Sequence, residues 1–315
     1  MRLARDETTA IGGAAHTGSG AALQDEDRSG LLIALAGFAL LSVGDAVVKS
    51  MAGQWAPTGI ATLRYIIGAI GLSAILLARE GRAGFTVPRP GLQLVRGASV
   101  AVATVTFFGS LFFMPLAEAT SVVFVSPMIT GLLAPVFLKE RATPATFVAS
   151  AIAFAGVLIV LRPNLSAIGL AALLPLGAAF GMSALFMANR AVAGQASALA
   201  MQAVLAIGAV PILLGVTAIG HLSGVERLAI HVPSPIVVAK CAFVALSAST
   251  AHWLIYLGTT RAGAASVAPM TYVQLVVATA LGWWWFGDRP DAMALLGAAI
   301  IIGAGAYLWR AGKRT

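Results

Sequence analysis

Asp45 and Lys49 stand four residues apart in a stretch that is otherwise almost free of charge. On a helix that spacing puts both side chains on one face, where they can pair. Arg64 and Glu118 lie in neighbouring apolar stretches and are expected in the same half of the membrane. A charge at mid-bilayer costs at least about 2.5–3.5 kcal/mol on insertion scales, so each of these residues needs a reason to be there. Two chemistries fit them. One is a structural salt-bridge cluster that pins three helices together. The other is a gate, or a site for a charged solute.

Hydroxyls and aromatics form a second set of candidates. Thr104, Thr106, Phe107, Phe108 and Ser110 occupy one stretch; Thr120, Ser121, Phe124, Ser126 and Thr130 occupy the next. A hydroxyl in a membrane helix commonly bonds back to its own helix, so each alone reads first as structural. Pro127 and Pro135 remove backbone donors, and the freed carbonyls can face a solute cavity or mark a packing kink. Pro175, Pro211 and Pro269 allow the same. His252, Trp253 and Tyr256 share a later stretch, and Tyr272 and Gln274 the one after. His252 could relay a coupling proton, because imidazole titrates near neutrality, or serve as a satisfied hydrogen-bond partner. Tyr272 and Gln274 differ by about 200° around a helix axis, so they cannot point the same way. Tyr272 is expected at the cavity and Gln274 against a neighbouring helix.

These residues need elements to hold them. Ten apolar segments are expected as helices at 31–52, 57–78, 92–113, 117–138, 144–161, 167–188, 197–219, 236–257, 264–286 and 290–309. Their lengths suit a bilayer's hydrocarbon core, and none shows the polar face of a soluble helix. Without an alternating ten-residue pattern, a barrel is not supported. The chain is 315 residues long, 59% hydrophobic and 10% charged. Its mean hydropathy is +0.92. The loop at 220–235 is the least regular, and Leu228–Ile230 could dip into the interface as a short helix. Residues 1–29 are rich in small and polar residues and have no apolar core of a signal peptide, so a disordered tail is expected there.

The net charge of +8 does not indicate nucleic acid, because the basic residues are dispersed among segment ends. Read as topology signals, 14 of the 20 Lys and Arg fall in one set of loops. Only Arg162, Arg227 and Arg289 fall in the other, so both termini are expected in the cytoplasm. Trp55 and Trp283–Trp285 then lie near the outer interface. Cys241 is the lone cysteine, which leaves no internal disulfide and no cysteine metal site. No nucleotide-binding loop or zinc motif occurs. No cofactor, no metal and no catalytic residue is expected.

The two halves echo each other. Glu140-Arg141 and Asp288-Arg289 are 148 residues apart, and Lys49-Ser-Met-Ala-Gly-Gln54 resembles Arg190-Ala-Val-Ala-Gly-Gln195. Five helices per half is an odd number, so the copies would insert with opposite orientation, as in many secondary transporters. The fold class expected is an all-α polytopic membrane protein. Its ten helices form two inverted repeats, at 30–165 and 166–315.

Lys49, Arg64, the stretch 115–141 (PLAEATSVVFVSPMITGLLAPVFLKER) and the stretch 261–290 (RAGAASVAPMTYVQLVVATALGWWWFGDRP) carry a resemblance. They resemble the EamA family of the drug/metabolite transporter superfamily. That resemblance implies a cavity between the repeats, walled by the first, third, fourth, sixth, eighth and ninth helices, with the fifth and tenth at the periphery. It also implies movement of a small organic solute such as an amino acid, metabolite or drug, often outward, across a bacterial inner membrane. A proton is a candidate coupling ion, and small-residue helix faces permit a homodimer. A non-transporting scaffold or sensor and a lipid-modifying membrane enzyme are the rival readings. The second lacks a nucleophile–base constellation.

Overall fold

The structure, a computed structural model, describes residues 15–86, 88–137, 144–262 and 267–312. All regular structure among the described residues is helical. The helices are α1 (Ala15–Lys49), α2 (Pro57–Glu80), α3 (Pro90–Leu111), α4 (Leu116–Val123), α5 (Ser126–Phe137) and α6 (Pro144–Ile168). There follow α7 (Leu174–Ala191), α8 (Ala198–Leu222), α9 (Pro235–Ala262), α10 (Val273–Phe286) and α11 (Ala292–Gly312).

The local sequence explains the ends. Prolines open α2, α3 and α9 and stand second in α7, where a missing N–H costs nothing. Ser197 caps α8 by accepting from Ala200 N at 3.0 Å, and Asp291 caps α11 by accepting from Ala294 N at 2.6 Å. Glu226–Leu228 forms a single 3₁₀ turn within the 220–235 loop, and Trp55 Nε1 donates to His231 O at 2.9 Å beneath it. Trp55 is therefore buried against that loop.

Three sequence expectations are revised. First, α1 begins at Ala15, inside the segment assigned to the tail; residues 1–14 lie outside the described set. Second, the fourth segment is two helices. Pro127 has no N–H to donate to Val123, and the chain turns tightly at Phe124-Val125 before α5 starts. Third, the ninth segment is divided, with a 3₁₀ turn at Ala268–Tyr272 before α10. Among the described residues, nine helical stretches are long and apolar enough to cross a membrane, and α10 is too short to count among them. The chain is thus a polytopic α-helical membrane protein.

Helices pack through small residues. A Cβ on Gly258 of α9 would lie 2.6 Å from Gly30 O of α1, and one on Gly156 of α6 would lie 2.8 Å from Gly297 O of α11. Such contacts let backbones approach closely where lipid supplies no hydrophobic drive for association. The most extensive pairings are α1 with α9, α6 with α11, α3 with α7, α2 with α8, and α3 with α8. Every one joins the first half of the chain to the second. Side-chain contacts mark two ends of the bundle. One holds Lys49 and Asp288, the other Arg96 and Asn189.

Candidate functional site

At the first end, the sequence WWWFGD terminates α10. Gly287 takes a left-handed φ of 68°, donating to Trp283 O, while Asp288 N donates to Gly282 O at 2.9 Å. This glycine-terminated cap fixes where Asp288 stands. Its Oδ2 accepts from Lys49 Nζ at 2.5 Å, and Lys49 also donates to Met114 O at 3.1 Å. The ammonium lies 5.2 Å from the centre of the Phe286 ring. The pair is only 12% and 19% exposed, so solvent screens it weakly. The expected Asp45–Lys49 pair is therefore corrected. Lys49 reaches across the bundle to a carboxylate 239 residues away in sequence.

Among the described residues Asp45 makes no ion pair. Arg64 sits seven residues into α2, about 10 Å along its axis at 1.5 Å per residue. Its guanidinium stacks 4.5 Å from the Tyr65 ring centre and 5.4 Å from that of Phe108. Tyr65 Oη and Thr104 Oγ1 share a hydrogen bond of 3.3 Å, which ties α2 to α3. His252 Nδ1 donates to Ala248 O of its own helix at 2.7 Å. The structure thus brings Arg64, Tyr65, Thr104 and Phe108 together where α2 meets α3.

Other candidates are placed differently. Phe124, at the α4–α5 turn, meets Tyr272 edge-on with ring centres 5.7 Å apart. The Tyr272 hydroxyl sits where a Cβ on Gly305 of α11 would fall. The tyrosine therefore ties the divided ninth segment to the last helix. Gln274 joins α1 through its backbone, since its carbonyl accepts from Ser42 Oγ at 2.7 Å. Its side chain meets Thr271 at 3.4 Å, so the expected side-chain tie to another helix is corrected as well. Ser126 is buried, and its carbonyl accepts from Thr130 Oγ1 at 2.8 Å; the same hydroxyl meets Ser183 of α7 at 3.0 Å. Pro127 is exposed beside it.

Ser110 Oγ donates to Phe107 O at 2.6 Å within α3, the back-bonding expected of a membrane hydroxyl. Phe107 and Phe108 rings lie 6.4 Å apart. Trp253 and Tyr256 are 58% and 50% exposed, on the side of α9 turned away from Ala251 and Gly258, which pack on α1. Glu118 is buried in the first turn of α4.

One cluster escaped the sequence reading. Arg96, counted there among loop charges, is 3% exposed inside α3. It donates to Asn189 Oδ1 at 2.6 Å, Gln93 Oε1 at 2.5 Å and Met201 O at 3.2 Å, joining α3 to α7 and α8. The signal that could have revealed it is Gln93, one helical turn before Arg96, two polar groups on one face of an apolar helix. Arg89 Nη1 adds a bond to Ala191 O at 3.0 Å, and Ser197 Oγ one to Glu80 Oε1 at 2.6 Å, at the same end.

A bundle of this kind, with charged and aromatic groups held between two halves of a membrane-spanning chain, is suited to passing small solutes. The EamA-like transporter family profile matches residues 28–162 and again 169–309. The chain belongs to the EamA-like transporter family, within the drug/metabolite transporter superfamily. It is a multi-pass membrane transporter of small solutes and not an enzyme. Among its relatives is a riboflavin transporter of Rhizobium johnstonii, 28% identical over 74% of this chain and 75% of that protein. The pseudopaline exporter CntI of Pseudomonas aeruginosa is 31% identical over 43% of this chain and 47% of its own length. An S-adenosylmethionine uptake transporter of Rickettsia felis is 23% identical over 85% and 87%. A solved crystal structure shares the fold with a TM-score of 0.60 at 20% identity, covering 90% of this chain and 97% of the other.

Proposed function

We propose that this protein moves a small organic solute outward across a bacterial inner membrane by alternating access. The chain crosses ten times, as two inverted five-helix repeats with both termini in the cytoplasm, and the repeats rock against each other. The observation that carries this reading is the pattern of packing between the halves. Counting α4–α5 as one crossing and 267–286 as another, the leading partnerships between the halves are 1 with 8, 3 with 6, 2 with 7, 5 with 10, 3 with 7, 2 with 8, 1 with 9, 4 with 6 and 4 with 9. Exchanging each crossing with its counterpart five places on returns the same set. Phe124 and Tyr272, 148 residues apart like Glu140 and Asp288, are in contact, as residues near a two-fold axis would be. Glu140 lies outside the described residues.

In this reading the Lys49–Asp288 pair closes the outer end, and the cluster around Arg96 holds the inner end. The test is solute flux in proteoliposomes containing only this protein. Riboflavin and S-adenosylmethionine, cargoes named for relatives, join a panel of amino acids. Saturable, protein-dependent flux of at least one solute is expected. A scaffold would give none, and a lipid enzyme would give altered lipid with no flux.

A further inference from the structure

The last two helices are consecutive in sequence yet pack chiefly on other partners, α10 on α1 and α4, α11 on α6. Residues 287–291 join them at the Lys49–Asp288 end, and a furrow of about 560 Å³ runs between them. That volume falls within the roughly 300–1,000 Å³ usual for ligand sites. Val276 and Ala280 of α10 and Leu295, Ala299 and Ile302 of α11 are among its walls. The first four of these are exposed, so the furrow opens sideways from the bundle, where a membrane-spanning helix meets lipid tails. Alanines at 280 and 299 leave the space that larger side chains would fill. Ile302 lies ten residues into α11, about 15 Å along its axis at 1.5 Å per residue. The furrow is therefore about as deep as one leaflet, half of a hydrocarbon core roughly 30 Å thick.

Two polar groups stand at its mouth. Arg289 follows the cap of α10, and Trp283 lies in the last turn of that helix; both line the furrow and both are exposed. Among the described residues neither the guanidinium nor the indole N–H bonds a protein acceptor. The carboxylates beside Arg289 in sequence are engaged elsewhere, since Asp288 holds Lys49 and Asp291 caps α11. The fork of a guanidinium matches the two free oxygens of a phosphodiester. An indole settles at headgroup depth, its ring against chains and its N–H toward polar groups. We infer that this furrow binds one phospholipid from the leaflet at the Lys49–Asp288 end, its phosphate on Arg289, its glycerol esters at Trp283 and one acyl chain between α10 and α11. Charge at one end, apolar walls below it and a length of one leaflet are the features of a single lipid in profile.

Photo-cross-linking in proteoliposomes tests it. The probe is phosphatidylglycerol with a photoactivatable diazirine midway along one chain, and the control is a diacylglycerol carrying the same chains and no phosphate. Labelled peptides are read by mass spectrometry. The exposed face of α8 at Leu214 and Ile219 reports ordinary contact with bulk lipid. The phospholipid probe should label the stretches 275–283 and 292–302 severalfold more than the α8 face, and severalfold more than the diacylglycerol does. Arg289→Gln should bring phospholipid labelling of the furrow down to the diacylglycerol level. Ala299→Phe, which fills the furrow and leaves the charge, should remove furrow labelling by both lipids. Labelling of the α8 face should stay the same in both variants, which shows that they are folded and inserted; if one variant fails that check, the other still decides. Even labelling of the furrow and α8 in the unaltered protein would overturn the inference, leaving only bulk lipid there. Equal furrow labelling by the two lipids, or labelling unchanged in a folded Arg289→Gln, would remove the phosphate from the site and overturn it too. A furrow protected from both probes, in a protein that sediments as a dimer, would give this face to a second copy of the chain and overturn it as well. Every one of these readouts is independent of solute flux, so the proposed transport stands or falls separately.

Discussion

Lys49 shows how far a single charge can be read. Its type and place near the end of the first span mark it as costly and in need of a partner. The spacing to Asp45 offers one, and the fold supplies another, because Gly287 turns the chain so that Asp288 faces it. A contact between residues 239 apart leaves no trace in local spacing. Removing one member strands the other in a weakly solvated place, which costs more than the pair itself contributes. Asp288→Asn and Lys49→Gln should each lower the melting temperature of detergent-purified protein. The loss should fall below the ~3–5 kcal/mol typical of fully buried pairs, because this one retains some exposure. The double variant should regain most of it. Full stability in both single variants would show that the bridge holds nothing.

At the scale of elements, legibility follows hydropathy. Long apolar segments and their proline starts are local properties, and α2, α3, α8 and α9 fall close to where the sequence puts them. The interruptions are legible where proline causes them. Pro127 points to a looser fourth segment, and α4 ends at Val123 as the missing donor requires. The division before α10 depends on how Tyr272 packs between Phe124 and Gly305, which no local pattern states. Arg96 was misread for a related reason. A basic residue near a segment end looks like a topology signal until Asn189 and Met201, about a hundred residues on, are seen to satisfy it. Pro127→Ala restores an N–H for the Val123 carbonyl, so it should lengthen the helix. We expect membrane abundance and melting temperature at or above wild type, with solute flux reduced severalfold. Unchanged flux in that variant would make the break a packing detail with no part in movement.

The whole molecule is a set of contacts between halves, bonded at both ends. Lys49–Asp288 joins α1 to the turn after α10, while Arg96 joins α3 to α7 and α8. In the proposed mechanism a solute leaves only through an end whose bonds have parted, and alternating access requires the two ends to part in turn. Polar contacts suit this duty because they break without creating a cavity, whereas the Gly156–Gly297 and Gly30–Gly258 contacts cannot separate without losing close packing. Tethering the first end tests the idea directly. Cysteines at Lys49 and Asp288, in a Cys241→Ser background, can be joined by a short membrane-impermeant thiol cross-linker added to intact cells. Cross-linking from outside is expected, since the proposed orientation puts this end at the outer surface. Quantitative cross-linking should abolish flux, and reduction should restore it to the level of the unlinked double variant. A cross-linker effective only in opened cells would reverse the assigned orientation. Full flux through a completely cross-linked protein would mean that the solute does not pass this end at all, and the Lys49–Asp288 bridge would then be a fixed strut between the halves.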